Sequence, residues 1–475
     1  MREFRFLDKD LDRIANAESA GLHSARPVRR LGLALIFAAL AALFGTAAAG
    51  AGATGPVIAG LLIAAFLAIS IGASDVANAL GPAVGAGAIS MGAGLAAVAA
   101  AEVAGAMLAG GAVSQTLTTG ILPGSLMMSG SEPATVMLAA MLAASVWIAL
   151  ATWAGAPVST THAIVGGIAG AGLAVFGAAA PDWTGIARIA TGWMVSPLLA
   201  GMLAATLLGL LRALIHRAPD RIAAAARWLP RVVGLIVPVM LALALTAAGS
   251  GPAPTLFASV AGGIAAWAAA RARIRRELGR ADTTARKLLD RLFGPPLVLG
   301  AVMMGFAHGA NDVANVAAPL AVIAQAAQGW APAAALSPWA ALAIGGSGIA
   351  LGALLFGRRL VRMVGSRITR LNPARALCVS VATALTVFAA SRLGLPVSTT
   401  HVAVGGVFGV GFYREAEERL LSRRPASPPL PPEERRRRHL VRRGALLRTL
   451  AAWAITVPAS GALAAAAAWA ITRIQ

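Results

Sequence analysis

Residues 72–82 read GASDVANALGP and residues 309–319 read GANDVANVAAP, so one phrase with an acid and an amide occurs twice in the chain. Each copy follows a long, mostly apolar stretch. A carboxylate in the middle of a membrane costs ~2.5–3.5 kcal/mol on insertion scales, so an acid at that depth is a candidate functional group. The repeated phrase therefore predicts that Asp75 and Asp312 belong to a site inside a membrane.

The composition independently predicts a membrane protein. Of the 475 residues, 58% are hydrophobic and 12% are charged, whereas a soluble domain carries about 25% charged residues. A helix needs ~20 apolar residues to cross a ~30 Å hydrocarbon core, and several stretches approach or reach this length: 31–50, 57–71, 232–249 and 450–471. We expect an all-α polytopic membrane protein with roughly 12 transmembrane segments.

The net charge of +21 could suggest a nucleic-acid partner, but its placement indicates membrane topology instead. The arginines cluster between or beside the apolar stretches, as the positive-inside rule predicts for cytoplasmic loops. These clusters are 26–30, 212–231, 271–291, 358–375 and 414–448. Residues 1–20 lack the apolar core of a signal peptide and predict a short amphipathic helix at the cytoplasmic surface.

A second phrase, PVSTTH, also occurs twice, within APVSTTHAIVGGIAGAGL at 156–173 and LPVSTTHVAVGGVFGVGF at 395–412. Two copies of one unit joined by an insert are typical of secondary transporters. The predicted organisation is a cytoplasmic N-terminal segment (1–30), a first span (31–54), a first repeat (55–214), a linker with two extra spans at 232–248 and 252–270 and basic cytoplasmic loops (215–291), and a second repeat (292–475) with a basic cytoplasmic loop (412–448).

The arginines also indicate that the two repeats are inserted upside down relative to each other. Segment 121–135 has no Lys or Arg, whereas its counterpart 358–375 has six Arg. Similarly, 172–184 has none, while 412–448 is the most basic segment of the chain. Corresponding points therefore fall on opposite sides of the membrane. This pattern predicts an inverted-repeat secondary transporter with its binding site near the midplane, at the interface of the repeats.

The residues around each acid predict a broken helix that binds a cation. Gly72, Asn78, Gly81 and Pro82 are poor helix formers, and irregular backbone at membrane depth is tolerated where it faces protein or a water-filled cavity. Freed carbonyls, together with the oxygens of Asp and Asn, would suit a hard cation or a proton. A helix cap or a loop ion pair is the simpler explanation, but two copies that both carry the amide (Asn78 and Asn315) favour a site.

The PVSTTH segments predict helix starts that bind an anion. Ser residues are good N-caps, and a helix N-terminus offers free N–H groups and the positive end of the dipole. Consecutive hydroxyls add neutral donors, which suit an anion that must also leave: Ser159, Thr160, Thr161, Ser398, Thr399 and Thr400. Helix capping with close glycine packing is the simpler explanation, and the two roles are compatible.

Three histidines and one glutamate also lie near the phrases. His162 and His401 each follow a serine by three positions, which could suggest a nucleophile–base pair for intramembrane hydrolysis. No separate acid orients either ring, so lining of the site is the better interpretation, with metal ligation as an alternative. Glu102 has no acidic counterpart in the second half, where Trp339 falls at the same offset. It is either a coupling proton site or the partner of a nearby donor, and His308 is a further lining candidate.

The phrases GASDVANALGPAVGAGAIS and HGANDVANVAAP and the two PVSTTH elements resemble those of the PiT-type inorganic phosphate transporters, and the match covers both halves in order. That family carries phosphate with Na⁺ or H⁺ through an inverted repeat with re-entrant PVSTTH hairpins. The resemblance implies that the six hydroxyls donate to phosphate and that five residues line the cation and phosphate site: Asp75, Asn78, Asn311, Asp312 and Asn315. Glu102 resembles a family glutamate at similar spacing. Ser74 replaces the asparagine that is usual in the family's first phrase and removes one amide oxygen from a cation position.

We therefore expect a symporter, driven by H⁺ or Na⁺, that carries inorganic phosphate, free or bound to a metal, by alternating access. The expected location is a bacterial inner membrane, with the N-terminus in the cytoplasm. No catalytic residue, cofactor, resident metal or nucleic-acid partner is expected; membrane lipid surrounds the chain, and the resemblance suggests a homodimer. The alternatives are a sulfate or other oxyanion permease of the same fold, a passive anion channel, and an intramembrane hydrolase that uses Ser159 or Ser398.

Overall fold

The computed structural model describes residues 27–49, 55–127, 130–155, 158–279, 284–327, 336–363, 371–422 and 443–474. Within these ranges every regular element is helical, which confirms the predicted class. The surface helix predicted at 1–20 lies outside the described residues. In chain order the helices are α1 (Pro27–Ala49), α2 (Gly55–Gly85), α3 (Met91–Ala109), α4 (Gly111–Thr119), α5 (Gly124–Met127), α6 (Glu132–Ala154), α7 (Thr160–Phe176), α8 (Trp183–Leu211), α9 (Arg221–Ala247), α10 (Pro252–Gly279), α11 (Ala285–Asp312), α12 (Ala314–Ala327), α13 (Pro338–Phe356), α14 (Arg358–Met363), α15 (Pro373–Arg392), α16 (Thr399–Ser422) and α17 (Arg443–Ile474).

Eleven helical segments of the described chain are long and apolar enough to cross a membrane, close to the expected number. Helices α9 and α10 occupy the positions of the two predicted extra spans. Helix α7 has 17 residues and is therefore ~26 Å long at 1.5 Å per residue, short of the ~30 Å hydrocarbon core. It packs against α6, so the α7 half of the predicted re-entrant hairpin is too short to span, whereas α6 with 23 residues is not.

Helices α2 and α13 cross where each backbone contacts a glycine of the other. A Cβ on Gly72 would come within 3.0 Å of the carbonyl oxygen of Ile349, and a Cβ on Gly352 within 3.0 Å of the carbonyl oxygen of Ile69. Real Cβ atoms do not approach backbone this closely, so the crossing requires glycine on both helices. Small residues at such positions are the usual means of packing membrane helices closely.

The same contact occurs between α3 and α11. Gly309 faces the carbonyl oxygen of Glu102, and Gly105 faces the carbonyl oxygen of Phe306, again too close for a Cβ. Gly309 holds the place in the second phrase that Gly72 holds in the first. Each repeat therefore contributes one helix to each crossing. Helix α2 of the first repeat corresponds to α11 of the second, and α13 of the second corresponds to α3 of the first, as in an interface with pseudo-two-fold symmetry.

A second pair of crossings repeats this exchange. Helix α7 of the first repeat packs on α17 of the second, and α16 of the second packs on α8 of the first. On α7, Gly166 and Gly170 face the backbone oxygens of Val457 and Gly461 of α17. At the equivalent positions of α16, Gly405 and Gly409 face the backbone oxygens of Pro197 and Gly201 of α8. These reciprocal contacts relate the repeats by a pseudo-two-fold axis, and the arginine distribution predicts that the axis lies in the membrane plane.

The backbone around the acids differs between the repeats, and the expectation of a broken helix at the first acid is wrong. Helix α2 runs without interruption from Gly55 to Gly85, because its buried packing outweighs the poor helix propensity of its glycines. In the second repeat α11 and α12 meet at Val313, where the backbone keeps helical angles and the Val313 N–H still donates to the Gly309 carbonyl, so the predicted break reduces to one irregular residue. Pro82 and Pro319 lie inside α2 and α12, and each lacks the N–H that would bind the carbonyl four residues earlier.

Two predicted boundaries also shift. The second repeat was expected to begin at residue 292, but α11 begins at Ala285, because basic residues at its start extend the helix beyond the apolar span. The expected loop at 412–448 is helical through Ser422 in α16 and again from Arg443 in α17. Residues 423–442 lie outside the described ranges.

Candidate functional site

The starts of α7 and α16 meet end to end inside the protein. Ser159 and Ser398 are the N-caps, and each hydroxyl accepts the backbone N–H three residues on, at 3.1 Å and 3.3 Å. The Thr161 hydroxyl donates to the carbonyl of Val397, just before α16, at 3.1 Å. The positive dipole ends of two helices therefore converge, an arrangement that favours bound negative charge.

Asp75 lies at this junction and is bonded by hydroxyls from both repeats. Thr160 of α7 donates to Oδ2 at 3.1 Å, and Thr400 of α16 donates to Oδ1 at 3.2 Å. Asn78, one turn along α2, donates to the same Oδ1 at 3.3 Å and to the Thr400 hydroxyl at 2.9 Å. The Asp75 side chain is 2% exposed, so these donors take the place of water around it.

Asp312 occupies the equivalent place in the second repeat. The Thr399 hydroxyl lies 3.5 Å from Oδ2, and the Nε2 atom of His308 lies 2.9 Å from the same oxygen. His308 Nε2 is also 3.9 Å from Oδ2 of Asp75. One ligand atom from each of these three buried side chains lies within 4.8 Å of the others. The two predicted acids are therefore brought together, with an imidazole between them.

The other ring nitrogen of His308 extends this cluster to Glu102. Nδ1 lies 2.8 Å from Oε1 of Glu102, while Oε2 has no hydrogen-bond partner among the described residues. Both side chains are fully buried. Glu102, His308 and Asp312 thus form a line of titratable groups between α3 and α11. The two carboxylates and the imidazole of the cluster could also hold a metal ion, although the sequence predicted no resident metal.

The structural counterpart of Glu102 in the second repeat is not the residue expected from the sequence. Trp339 falls at the same sequence offset, but its side chain is 60% exposed. The residue in the matching place at the α2–α13 crossing is Ile349, whose carbonyl faces Gly72 as that of Glu102 faces Gly309. The position of His308 is likewise filled by Ile71 in the first phrase. One crossing therefore carries an acid–imidazole pair where its symmetric mate has two isoleucines.

Asn311 and Ser74 occupy equivalent positions, and each donates to the carboxylate of the aspartate that follows it, but Asn311 makes further contacts. The Asn311 amide donates to the Val397 carbonyl at 2.7 Å and accepts the Val397 N–H at 3.3 Å. It thereby fixes the extended residues before α16, and the Ser391 hydroxyl donates to the same Oδ1 at 3.3 Å. The shorter Ser74 side chain donates to Asp75 Oδ1 at 3.4 Å. Asn311 therefore positions a helix start and also contacts the acid pair through Asp312, and its role in cation coupling stays a prediction.

We expect Asn311→Ala to lower the free energy of unfolding by about 1–3 kcal/mol, the cost of leaving a buried N–H unsatisfied. Ser74→Ala at the equivalent position removes one long hydrogen bond and is expected to cost about 1 kcal/mol or less. Thermal unfolding of both purified variants in the same detergent would compare them. Equal losses of stability would contradict the positioning role of Asn311.

Asn78 and Asn315 also differ, although they hold the same place in the two phrases. Asn78 is bonded as described above. Both polar atoms of the Asn315 amide lack a hydrogen-bond partner among the described residues, yet the side chain is only 1% exposed. Buried amides are normally satisfied, so Asn315 has unused capacity for a ligand or ordered water.

His162 and His401 lie in a cluster of four rings beside the helix starts. Their ring centroids are 4.4 Å apart, that of Trp193 is 3.8 Å from His162, and that of Trp453 is 3.4 Å from His401. The Trp193 indole N–H donates to the Pro396 carbonyl at 2.9 Å. Both histidines therefore pack between the repeats at the pseudo-two-fold axis, and neither ring has a described contact with the carboxylates.

The sequence predicted that the acids, amides and hydroxyls lie near one another. It identified His308 only as a further lining candidate and did not identify Ser391. A signal for His308 was present. It lies four residues before Asp312, one helical turn away, while the first phrase has an isoleucine there.

Comparisons with known proteins agree with these features. Residues 71–464 match the family model described as the phosphate transporter family. A Helicobacter pylori (strain J99) protein named as a phosphate permease is 35% identical over 434 residues, which cover 87% of this chain and 80% of that protein. The Arabidopsis thaliana chloroplastic inorganic phosphate transporter 2-1 is 33% identical, with 87% and 72% covered. A solved structure titled the sodium-dependent phosphate transporter superposes with a TM-score of 0.79 at 32% identity, covering 89% of this chain and all of that one.

Proposed function

Because this chain belongs to the phosphate transporter family, we propose that it carries inorganic phosphate across a bacterial inner membrane together with a cation, by alternating access of its two repeats. Its relatives are transporters and not enzymes, so the hydrolase alternative is set aside. The observation that supports symport best is the meeting of Asp75 and Asp312 at two converging helix starts. An acid pair alone would repel phosphate, whereas an acid pair that takes up a cation would admit it.

The helix starts provide the anion-binding half of the proposal. Two positive dipole ends and several neutral hydroxyls attract an oxyanion without the strong hold of a buried arginine. The unsatisfied amide of Asn315, three residues after Asp312, is a further candidate donor. Because these donors come from both repeats, phosphate bound there would contact both, and a relative movement of the repeats would change the side from which it is reached.

The hydroxyls also explain how cation and anion binding would be linked. A threonine hydroxyl has one proton, and in this conformation those of Thr160 and Thr400 are donated to Asp75. Neutralising the carboxylate with a cation weakens these bonds and lets the hydroxyls donate to phosphate instead. It also relieves the repulsion between the carboxylate and a bound phosphate, about 3 kcal/mol for unit charges ~5 Å apart at an effective dielectric of ~20. Each ion therefore improves the binding of the other.

We propose that the coupling cation is H⁺. The line from Glu102 through His308 to Asp312 contains three groups that each accept a proton, joined by contacts of 2.8 Å and 2.9 Å. Na⁺ prefers oxygen ligands, and an imidazole at the centre of the acid cluster is a poor one. In addition, Ser74 supplies no amide oxygen to the first phrase.

The test is uptake of labelled phosphate by proteoliposomes under an imposed H⁺ gradient, an imposed Na⁺ gradient, or neither. We expect accumulation with the H⁺ gradient and less than about one tenth of that rate with Na⁺ alone. A tenfold excess of sulfate is expected to leave the rate within about a factor of two. Accumulation driven by Na⁺ alone would overturn the choice of cation, and uptake that never exceeds equilibrium would overturn symport itself.

Glu102→Gln is expected to lower H⁺-driven uptake at least about tenfold, because a coupled pair contributing 1–3 kcal/mol corresponds to about 5–150-fold. Glutamine keeps the size of the side chain and a hydrogen bond to His308 but cannot exchange a proton. The matched control is Glu132→Gln at the exposed start of α6, which should retain the wild-type rate. Wild-type uptake and wild-type pH dependence in Glu102→Gln would exclude the glutamate from coupling.

A further inference from the structure

A cavity far from the acid cluster lies where α8 of the first repeat meets α15 and α16 of the second. Its volume is about 160 Å³, and its polar lining consists of Arg212, His216, Asn372, Arg375 and Arg414. We propose that this arginine pocket binds a phosphate group, either the headgroup phosphate of an anionic lipid or free phosphate, at a site separate from the transport pathway.

The local backbone holds the arginines around the cavity. Helix α8 ends in a π-helical turn, Arg212–His216, in which the N–H of Arg217 donates to the Arg212 carbonyl at 2.9 Å. Such turns occur frequently at functional sites. Here the turn brings Arg212 and His216 to the same cavity, and the His216 ring is anchored by stacking on Phe293 at 5.9 Å.

The opposite wall is the start of α15. Asn372 is its N-cap, and its Oδ1 accepts both the backbone N–H of Arg375 at 3.1 Å and the Nε of the same residue at 2.8 Å. This contact orients the guanidinium toward a neutral oxygen and leaves its charge in place. The pocket therefore combines a helix N-terminus with an oriented arginine, two features that each favour an anion.

Arginine side chains predominate in the polar lining of the pocket. Glu417 pairs with Arg212 and, at 3.1 Å, with Arg217, so one carboxylate is shared by two arginines. Arg375 and Arg414 add two more positive charges to the lining. Guanidinium groups match the geometry of phosphate oxygens through paired N–H donors. A phosphate group is thus the ligand class that this set of side chains fits best.

The cavity size and position agree with such a ligand. The volume of about 160 Å³ is well above the ~10–15 Å³ that one water molecule needs on this measure, so the cavity has room for a phosphate group. Along α16 the 14 residues from Thr400 to Arg414 span about 21 Å, so the pocket does not overlap the acid cluster. An occupant would join α8 of one repeat to α15 and α16 of the other.

The test compares the thermal unfolding midpoint of the purified full chain in detergent with and without three additives: dioleoyl phosphatidic acid, inorganic phosphate, and dioleoyl phosphatidylcholine as the neutral reference. The variant is Arg375→Gln/Arg414→Gln. The matched control is Arg358→Gln/Arg359→Gln, which removes two exposed arginines from α14. Ligand binding at the transport site should stabilise the wild type, the variant and the control equally. A difference in midpoint shift between these proteins therefore reports binding at the arginine pocket.

In the wild type and the control, we expect phosphatidic acid, inorganic phosphate, or both to raise the unfolding midpoint by several degrees more than phosphatidylcholine does. In Arg375→Gln/Arg414→Gln, this additional rise should be absent. The additive that acts identifies the source of the phosphate group. Asn372→Asp, which keeps the N-cap but adds a negative charge, should weaken the effective additive at least tenfold in titration even if the double variant is poorly folded. An equal stabilisation in all variants, or none in the wild type, would overturn the proposal without bearing on phosphate transport.

Discussion

Asp75→Asn and Asp312→Asn are each expected to abolish gradient-driven accumulation of phosphate, with a loss of initial rate of at least about 100-fold. Each substitution removes the charge whose neutralisation links cation to anion, and a coupling energy of about 3 kcal/mol corresponds to about 150-fold. Asparagine is nearly the same size as aspartate, and its one carbonyl oxygen still accepts a threonine hydroxyl. At position 75 its NH₂ group can donate to the oxygen of the other threonine, so the fold should be preserved. Uptake in proteoliposomes under an H⁺ gradient is the measurement.

Exchange of internal for external phosphate adds a second readout. If a proton is the coupling ion, asparagine imitates the neutral carboxyl, and exchange without net transport should persist within about tenfold of wild type. If Na⁺ is the coupling ion, exchange should fail along with accumulation. Asp220→Asn is the matched control, because this exposed N-cap of α9 is replaced by an equally good cap. Wild-type accumulation in either variant of the acid pair would refute the symport mechanism.

Gly105→Ala is expected to prevent stable folding or to lower the free energy of unfolding by at least about 3 kcal/mol, at the upper end of overpacking costs. Its Cβ would collide with the backbone oxygen of Phe306 and with the backbone nitrogen of Ala310. A side chain could rotate away, but the backbone of α11 cannot move without displacing His308 and Asp312. Yield of monodisperse protein and the thermal unfolding midpoint are the two measurements.

Gly92→Ala on the same helix is the control for this effect. No atom lies within 4 Å of a Cβ at Gly92, and alanine has a better helix propensity than glycine by roughly 1 kcal/mol. Gly92→Ala should therefore be at least as stable as the wild type. Equal stability of Gly105→Ala and Gly92→Ala would show that α3 and α11 do not approach as closely as described.

Much of the fold could be predicted from the sequence because membranes impose simple rules. Apolar length determines the spans, and the two copies of each phrase predict a repeated unit. The six hydroxyls and two acids could be selected in advance because buried polar groups are costly and rarely accidental. The continuous helix through Asp75 could not be predicted, since its glycines and Pro82 argue against helix, and only tertiary packing outweighs that local preference.

The sequence by itself determined that this chain spans a membrane many times, that it contains two related halves, and that each half carries an acid and a hydroxyl-bearing helix start. Only the tertiary structure decided which groups touch: Thr400 bonds to Asp75, 325 positions away, and Glu102 contacts His308 where the symmetric crossing has Ile71 and Ile349. The physical reason is that composition and periodicity report each segment's preference for lipid or water. Contacts between distant segments depend on how glycines let the helices cross.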